Sequence, residues 1–165
     1  MRRARYSEAD LRGLQTRGFT WSEKTPRLGE SAQHEGNARP RYGSGKRADL
    51  GGLYVRSTGE ANYTRYLNWC KARQEIRDWE YEPCKFEFPI KHGTTSYTPD
   101  WGVTLLDGRI QYRELKGELK PAGATKLKRM QKYFPEHEVM VIWWNDYLAI
   151  ERTLGKLIPG WEFGT

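Results

Sequence analysis

The chain has 165 residues and a formal net charge of +7, a length that suits one domain with a real core and excludes two large ones. No stretch approaches the roughly 20 consecutive apolar residues of a membrane span, and the arginine-rich start lacks the apolar run of a secretory signal. We therefore expect a cytoplasmic protein with no membrane contact. The basic balance favours a polyanionic partner, because clustered Lys and Arg displace counterions from phosphates.

The first third of the chain carries most of the basic excess. Residues 1–55 contain eleven Lys or Arg and six acidic residues. Ser7, an acidic first turn and Gly18 predict one short helix. Residues 25–52 are rich in Pro, Gly, Ser and Arg, which predicts a flexible basic arm or an extended segment. We predict two parts: a basic N-terminal helix and flexible arm over 1–55, and a folded domain over 56–165.

The folded domain begins with an amphipathic helix. Apolar residues recur at helical spacing from Ser57, which predicts about five turns of helix. An alternating segment at 79–89 predicts a strand. Strands are also predicted at 97–106 and 110–115, joined by a tight turn at Asp107-Gly108, because these residue types accept positive φ.

The remaining elements follow the second predicted hairpin strand. Residues 124–133 predict a helix that Pro135 ends. The continuous apolar run at 139–144 is typical of a buried strand. A short helix or irregular tail follows, from which Trp161 and Phe163 can dock on the body.

One pair of motifs carries the chemistry. Pro99-Asp100 is followed fourteen positions later by Glu114-Leu115-Lys116. Two carboxylates on neighbouring strands can share a hard divalent cation, since Mg²⁺ takes oxygen ligands. Alternation along a strand puts Glu114 and Lys116 on one face and Leu115 on the other, in the core. A cation beside an ammonium can activate water and stabilise charge on a reacting phosphate.

The surrounding sequence adds a family resemblance. Tyr97-Thr98-Pro99-Asp100 and Glu114-Leu115-Lys116-Gly117 precede a basic helix that ends in Tyr133-Phe134-Pro135 before a hydrophobic strand. This succession resembles the PD-(D/E)xK nuclease superfamily and, within it, is similar to Holliday-junction resolving enzymes of archaea and phages over residues 57–142. The resemblance implies a restriction-endonuclease-like α/β fold: a mixed central β-sheet flanked by helices, in the order helix, three strands, helix, strand. Here a basic N-terminal extension precedes that core.

The resemblance also implies roles for individual residues. Asp100, Glu114, the carbonyl of Leu115 and Glu60 would hold Mg²⁺, for which Mn²⁺ should substitute. Lys116 would orient or deprotonate the attacking water. Each residue also has a plainer alternative: Asp100 in a turn or on an edge strand, Glu114 on an exposed strand, and Lys116 on the surface.

Glu60 is the candidate for the glutamate that the family places on its first helix. Its alternative is structural, because Ser57 followed three residues later by Glu60 fits a capping box. Glu75, farther along the helix, is the fallback.

The substrate and the assembly are expectations from the same resemblance. Branched DNA, above all a four-way junction, would be cut by a homodimer, because two opposed strands need two sites. A phage-encoded protein would act in the host cytoplasm. Alternatives are a duplex, nicking or repair nuclease of the same superfamily, or a non-catalytic DNA-binding or phage-assembly protein.

The predicted DNA contacts are Lys46, Arg47, Arg56, Lys126, Lys128 and Arg129. For the three on the predicted helix over 124–133, the alternative is a charged helix face that contacts only solvent.

Overall fold

The computed structural model describes residues 43–118 and 120–163, which form a mixed α/β structure. The helix predicted from Ser7 and most of the predicted arm lie outside the described residues. The helices are α1 (Thr58–Ala72), α2 (Pro121–Tyr133) and α3 (Trp144–Leu154). The strands are β1 (Gly45–Arg47), β2 (Leu53–Val55), β3 (Asp78–Tyr81), β4 (Phe86–Glu87), β5 (Ser96–Tyr97), β6 (Trp101–Thr104), β7 (Ile110–Lys116) and β8 (Glu138–Trp143).

A four-stranded mixed sheet forms the centre, with the strand order β3-β6-β7-β8. The pairs β3–β6 and β6–β7 are antiparallel, whereas β7 and β8 are parallel. Helix α2 lies between β7 and β8 in the chain and supplies the crossover that a parallel pair needs. The predicted hairpin is confirmed: Gly108, with a φ of 92°, turns the chain between β6 and β7.

Two predicted strands are each broken in the structure. The strand predicted over 97–106 is split into β5 and β6, because Pro99 has no N–H to donate to a sheet. The strand predicted over 79–89 is split into β3 and β4, with Pro83 between them for the same reason. The short strands β4 and β5 pair with each other in a separate small sheet. Asp100 therefore precedes β6 and does not lie inside a continuous strand.

Helices α1 and α2 cover opposite faces of the central sheet. Strand β8 shows the division, because Val139 and Val141 pack with α2 while Ile142 packs with α1. The buried core on the α2 face includes Tyr112, Leu127 and Met130, and the core on the α1 face includes Tyr63, Leu67, Trp101 and Val103. The expected central sheet with flanking helices is confirmed. Helix α1 has 15 residues, so it is shorter than the five turns predicted.

Residues 43–55 are attached to the body by charged groups and by Val55, which is fully buried. Strands β1 and β2 pair with each other, and the turn between them holds Asp49. Arg65 of α1 is 6% exposed and contacts Asp49 at 2.7 Å and Glu162 at 2.8 Å. Arg47 contacts the same Glu162 at 2.7 Å. Residues 43–52, expected as the end of a flexible or extended arm, instead form part of this ion-paired hairpin.

The C-terminal segment packs partly as predicted. Trp161 is 8% exposed and lies in a small apolar cluster with Tyr147 and Ile158. Phe163 is 51% exposed, so its expected docking is much less complete. Of the helices described, none has the length and apolar character needed to cross a bilayer.

Candidate active site

The two carboxylates of the sequence motif lie side by side. The register of β6 and β7 pairs Trp101 with Arg113, so the next residues, Asp100 and Glu114, become neighbours across the sheet. The Leu115 N–H donates to Oδ2 of Asp100 at 3.0 Å and fixes that carboxylate against β7. The antiparallel register thus brings together the two groups that the sequence separates by fourteen positions.

Burial makes this pair electrostatically costly. Asp100 is 7% exposed and Glu114 is 4% exposed. Burial first, and the charge of Glu114 second, raise the pKa of Asp100 to about 7, although the Leu115 N–H opposes the rise. The two neighbouring carboxylates repel each other, and a cation between them would lower that cost. Such perturbed acids are typical of functional sites, although structural ion-pair networks produce them too.

A protein cation contacts one side of this acidic group. The Arg56 guanidinium places Nη2 at 2.8 Å from Oδ1 of Asp100 and at 3.0 Å from Oε1 of Glu82. Its Nε lies 3.6 Å from Oε1 of Glu60. Arg56 joins three carboxylates, yet 55% of its side chain remains exposed. Arg56, predicted as a DNA contact, is thus bound to acidic groups of the protein.

Sequence reasoning did not find Glu82. This residue follows β3 with a φ of 46° and donates its N–H to the Asp100 carbonyl at 2.9 Å. Neither the spacing of the motif nor the alternation of side chains along a strand predicts Glu82 as a site residue. Its one distinguishing feature is a left-handed backbone, which is uncommon outside glycine, and the sequence does not predict that backbone at Glu82.

Glu60 has a structural role in addition to its place near Asp100. The Glu60 N–H donates to Ser57 Oγ at 3.1 Å, which is one half of the predicted capping box. In place of the other half, a bond to the Ser57 N–H, the Glu60 carboxylate accepts the N–H of the preceding residue, Arg56, at 2.9 Å and the Tyr81 hydroxyl at 2.7 Å. Its charge also contributes to the raised pKa of Asp100. The fallback Glu75 is wrong as a site residue, because it lies past the other end of α1, paired with Arg73.

Lys116 lies on the predicted face of β7. It forms an ion pair with Glu114, and its side chain is 27% exposed. Leu115 points to the other face, where a Cβ added to Gly59 of α1 would lie 3.0 Å from Leu115 Cδ2. The predicted alternation of Glu114, Leu115 and Lys116 is confirmed.

Tyr97 is a second residue that sequence reasoning missed as part of the site, although its motif includes it. It is 1% exposed. Burial first, and the charge of Glu114 second, raise the pKa of Tyr97 well above its usual value. Tyr97 therefore keeps its proton near the Glu114 carboxylate.

A cleft of about 690 Å³ opens next to the acidic group. Glu60 and Lys116 line it, whereas the Asp100 and Glu114 side chains are more deeply buried, at 10% and 6% exposure. The other lining residues come from the start of α1, the end of β7, the start of α2 and α3: Ser57, Gly59, Leu115, Gly117, Glu118, Lys120, Ala122, Gly123, Lys126 and Trp144. Lys116 thus connects the buried carboxylates to a cleft that a substrate can enter.

The donor atoms fit a two-carboxylate cation site. Asp100 and Glu114 supply carboxylate oxygens, and the Leu115 carbonyl belongs to the same short segment. Mg²⁺ commonly uses one or two carboxylates and completes its shell with water and substrate phosphate. Within 43–118 and 120–163, no group of three or more His, Cys, Asp or Glu residues is arranged to hold a metal ion. A ligand set that also includes Glu60 is therefore not assembled in this structure.

The remaining predicted DNA contacts differ in their surroundings. Arg47 is ion-paired with Glu162, and the Arg129 guanidinium donates to the Thr94 carbonyl. Both groups are thus bound to the protein itself. Lys46 and Lys128 are exposed, and Lys126 lines the cleft. Of the predicted set, Lys126 has the position best suited to contact a substrate near Lys116.

Comparison with protein-family models, curated proteins and solved structures finds no match to this chain. The resemblance drawn from the motifs stays a prediction.

Proposed function

We propose that this chain is a metal-dependent endonuclease that hydrolyses phosphodiester bonds in branched DNA, and that its core is restriction-endonuclease-like. The observation that carries the proposal is the buried pair Asp100 and Glu114 on adjacent strands, with Lys116 paired beside it. The order α1, β3, β6, β7, α2, β8 supports the fold assignment, because it is the succession that the resemblance implies. The small sheet of β4 and β5 is an insertion within that order.

Each residue of the centre would have a distinct task. Asp100, Glu114 and the Leu115 carbonyl would hold Mg²⁺, or Mn²⁺ in its place. The bound ion would supply Lewis-acid activation of water and stabilisation of charge on the phosphate. The Leu115 N–H holds the Asp100 carboxylate in place. The Lys116 ammonium, which reaches the cleft, would orient the attacking water and donate a hydrogen bond to a phosphate oxygen.

Four-way junctions are the proposed preferred substrate, cut by a homodimer that brings two such centres to opposed strands. The net charge of +7 supports a polyanionic partner. Phosphate contacts alone would position the protein without reading sequence.

The test is cleavage by the purified full chain in Mg²⁺ against junction, flap, nicked duplex and single strand. We expect that the junction is cut best, and that Asp100→Ala and Glu114→Ala abolish cleavage but retain junction binding. Asp107→Ala is the matched control, since this carboxylate is exposed in the β6–β7 turn. Wild-type turnover by either site variant would refute the proposed centre, and preferential cleavage of another substrate would replace the junction assignment.

A non-catalytic DNA-binding protein is the second candidate. The observation that favours it is Arg56, which pairs with Asp100, Glu82 and Glu60 as a member of a structural ion-pair network would. This alternative predicts DNA binding with no metal-dependent cleavage of any substrate in the same panel.

A further inference from the structure

We propose that the cleft between the starts of α1 and α2 binds unpaired DNA, with a base stacked on Trp144 and phosphates on Lys120 and Lys126. This inference rests on the proposed nuclease function and narrows its substrate to DNA with unpaired nucleotides beside the cleavage point. Three features of the cleft support it: its size, its aromatic wall and its charges.

The size of the cleft favours a single strand. Its volume of about 690 Å³ is within the range of roughly 300–1,000 Å³ that small-molecule sites occupy. One or two nucleotides can enter such a space, but the cross-section of a double helix cannot. A nucleotide whose base enters the cleft must therefore have left its partner strand.

Trp144, the aromatic residue of the cleft, is held in place by other rings. It stacks on Tyr147, with ring centroids 4.5 Å apart and an angle of 20° between the planes. Tyr147 stacks in turn on Trp161, at 5.7 Å and 21°. On another side, a Cβ added to Gly59 would lie only 3.3 Å from Trp144 Cζ3, so α1 also packs closely on the indole. An indole fixed in this way can stack on a base with little loss of side-chain entropy.

The charges of the cleft complement phosphate. Lys116, Lys120 and Lys126 all line it, and neither Lys120 nor Lys126 has an ion-pair partner among the residues that the structure describes. Two acidic residues also line the cleft: Glu60, whose carboxylate already accepts two hydrogen bonds from the protein, and Glu118. The two uncompensated lysines make the α2 side of the cleft the side where phosphates would lie.

Lys116 lies between the cleft and the buried carboxylates Asp100 and Glu114. Its ammonium pairs with Glu114, and its side chain lines the same cleft as Trp144. A strand whose base stacks on Trp144 would thus run past the lysine beside the buried carboxylates. Flaps, single-stranded ends and junctions with frayed arms provide such a strand, whereas a fully paired duplex does not.

The experiment measures binding of the full chain in EDTA, where no metal-dependent cleavage occurs. A fluorescently labelled single-stranded oligonucleotide and a duplex of the same sequence are titrated by anisotropy. The variants are Trp144→Ala, Trp144→Phe and the double variant Lys120→Ala/Lys126→Ala. Trp79→Ala is the matched control, because that indole is on β3 and bonds Asn68 away from the cleft.

We expect wild-type protein to prefer the single strand. Trp144→Ala should weaken single-strand binding about tenfold, because base stacking on an aromatic ring is worth about 1–3 kcal/mol per base. Trp144→Phe should retain most of the affinity, and the double lysine variant should lose affinity and show a shallower salt dependence. Duplex binding should respond little to either Trp144 variant. Quenching of a 2-aminopurine base in the single strand should report the stacking directly in folded wild-type protein.

Equal affinity of wild type for single strand and duplex, or an equal loss from Trp79→Ala and Trp144→Ala, would overturn the proposal. So would 2-aminopurine fluorescence that does not change on binding, a result that needs no variant to fold. Failure of the nuclease proposal is distinguishable, because it leaves the single-strand preference in EDTA intact while no DNA is cut in Mg²⁺. Cleavage without that preference would refute the cleft proposal alone.

Discussion

Replacing Asp100 with Asn should stabilise the protein in the absence of divalent metal. The Asp100 carboxylate is buried beside Glu114, and its pKa is raised to about 7 from an ordinary value of 3.8. At any pH between these two values the folded state holds a proton that the unfolded chain has lost. The free energy of unfolding of the wild type therefore falls as the pH rises through this window. Asn carries no charge, so the variant lacks this loss.

The size of the effect follows from the same values. A rise in pKa from 3.8 to about 7 corresponds to about 4 kcal/mol of lost stability above pH 7. The Arg56 ion pair is already contained in this pKa, so its loss is not subtracted again. The variant still does not regain the full value of about 4 kcal/mol, because Asn has one acceptor oxygen for two donors, Arg56 and the Leu115 N–H. One lost hydrogen bond is worth about 1 kcal/mol, so we expect a net gain of about 3 kcal/mol above pH 7.

The assay is urea unfolding in EDTA, followed by circular dichroism at several pH values from about 4 to about 8. The advantage of Asp100→Asn over wild type should be near zero at the acid end and should grow towards pH 8. Asp107→Asn is the control and should show no such pH-dependent gain, because this carboxylate is exposed and its pKa is lowered by the N–H and side chain of Arg109. A variant less stable than wild type at about pH 8 would show that the Asp100 carboxylate does not destabilise the folded state.

Three further predictions concern the surroundings of the site. Arg56→Gln should tighten Mn²⁺ binding measured by calorimetry, because it removes a cation that competes for Asp100. Arg77→Gln is the control, because this exposed guanidinium bonds the Leu106 carbonyl and not Asp100. Unchanged Mn²⁺ affinity in Arg56→Gln would show that Arg56 does not compete with the metal. Gly59→Ala should lower the free energy of unfolding by no more than about 1 kcal/mol, because overpacking of the new Cβ against Leu115 Cδ2 at 3.0 Å and Trp144 Cζ3 at 3.3 Å is largely offset by the higher helix propensity of Ala. A loss above about 3 kcal/mol in urea unfolding would show that neither side chain can move aside. Arg65→Ala should lower the free energy of unfolding by about 2 kcal/mol. The Arg65 guanidinium is 6% exposed and holds the β1–β2 hairpin and the C-terminal segment to α1. An unchanged midpoint of thermal unfolding would contradict this role.

Local sequence patterns predict the part of the site that lies on one hairpin. Alternation along β7 places Glu114 and Lys116 on one face, and the Asp107-Gly108 turn sets the antiparallel partner. Both depend on the period of a strand and on the φ preference of a turn, which are local properties. The strand predicted over 97–106 is wrong at one point on this hairpin, because Pro99 has no N–H to donate and interrupts the strand ahead of Asp100.

The rest of the site depends on contacts between residues far apart in the chain. Arg56 reaches Asp100 across 44 positions, and Glu82 joins them through a left-handed backbone that no motif announces. The β1–β2 hairpin also depends on contacts between distant residues. Its low apolar content predicts an arm, yet two arginines, Arg47 and Arg65, hold it in place through ion pairs with Asp49 and Glu162. Composition and periodicity do not predict ion pairs between residues so far apart in the chain.

Asp100 and Glu114 are proposed to hold a divalent cation together. A crystal of the full chain soaked in Mn²⁺ and measured for anomalous scattering would show whether they do. We expect an anomalous peak within coordination distance of carboxylate oxygens of both residues, and we expect it to be lost in crystals of Asp100→Asn. A fully ordered site with no such peak, and with the Arg56 guanidinium still bound to Asp100 at high Mn²⁺ concentration, would contradict the proposed cation site.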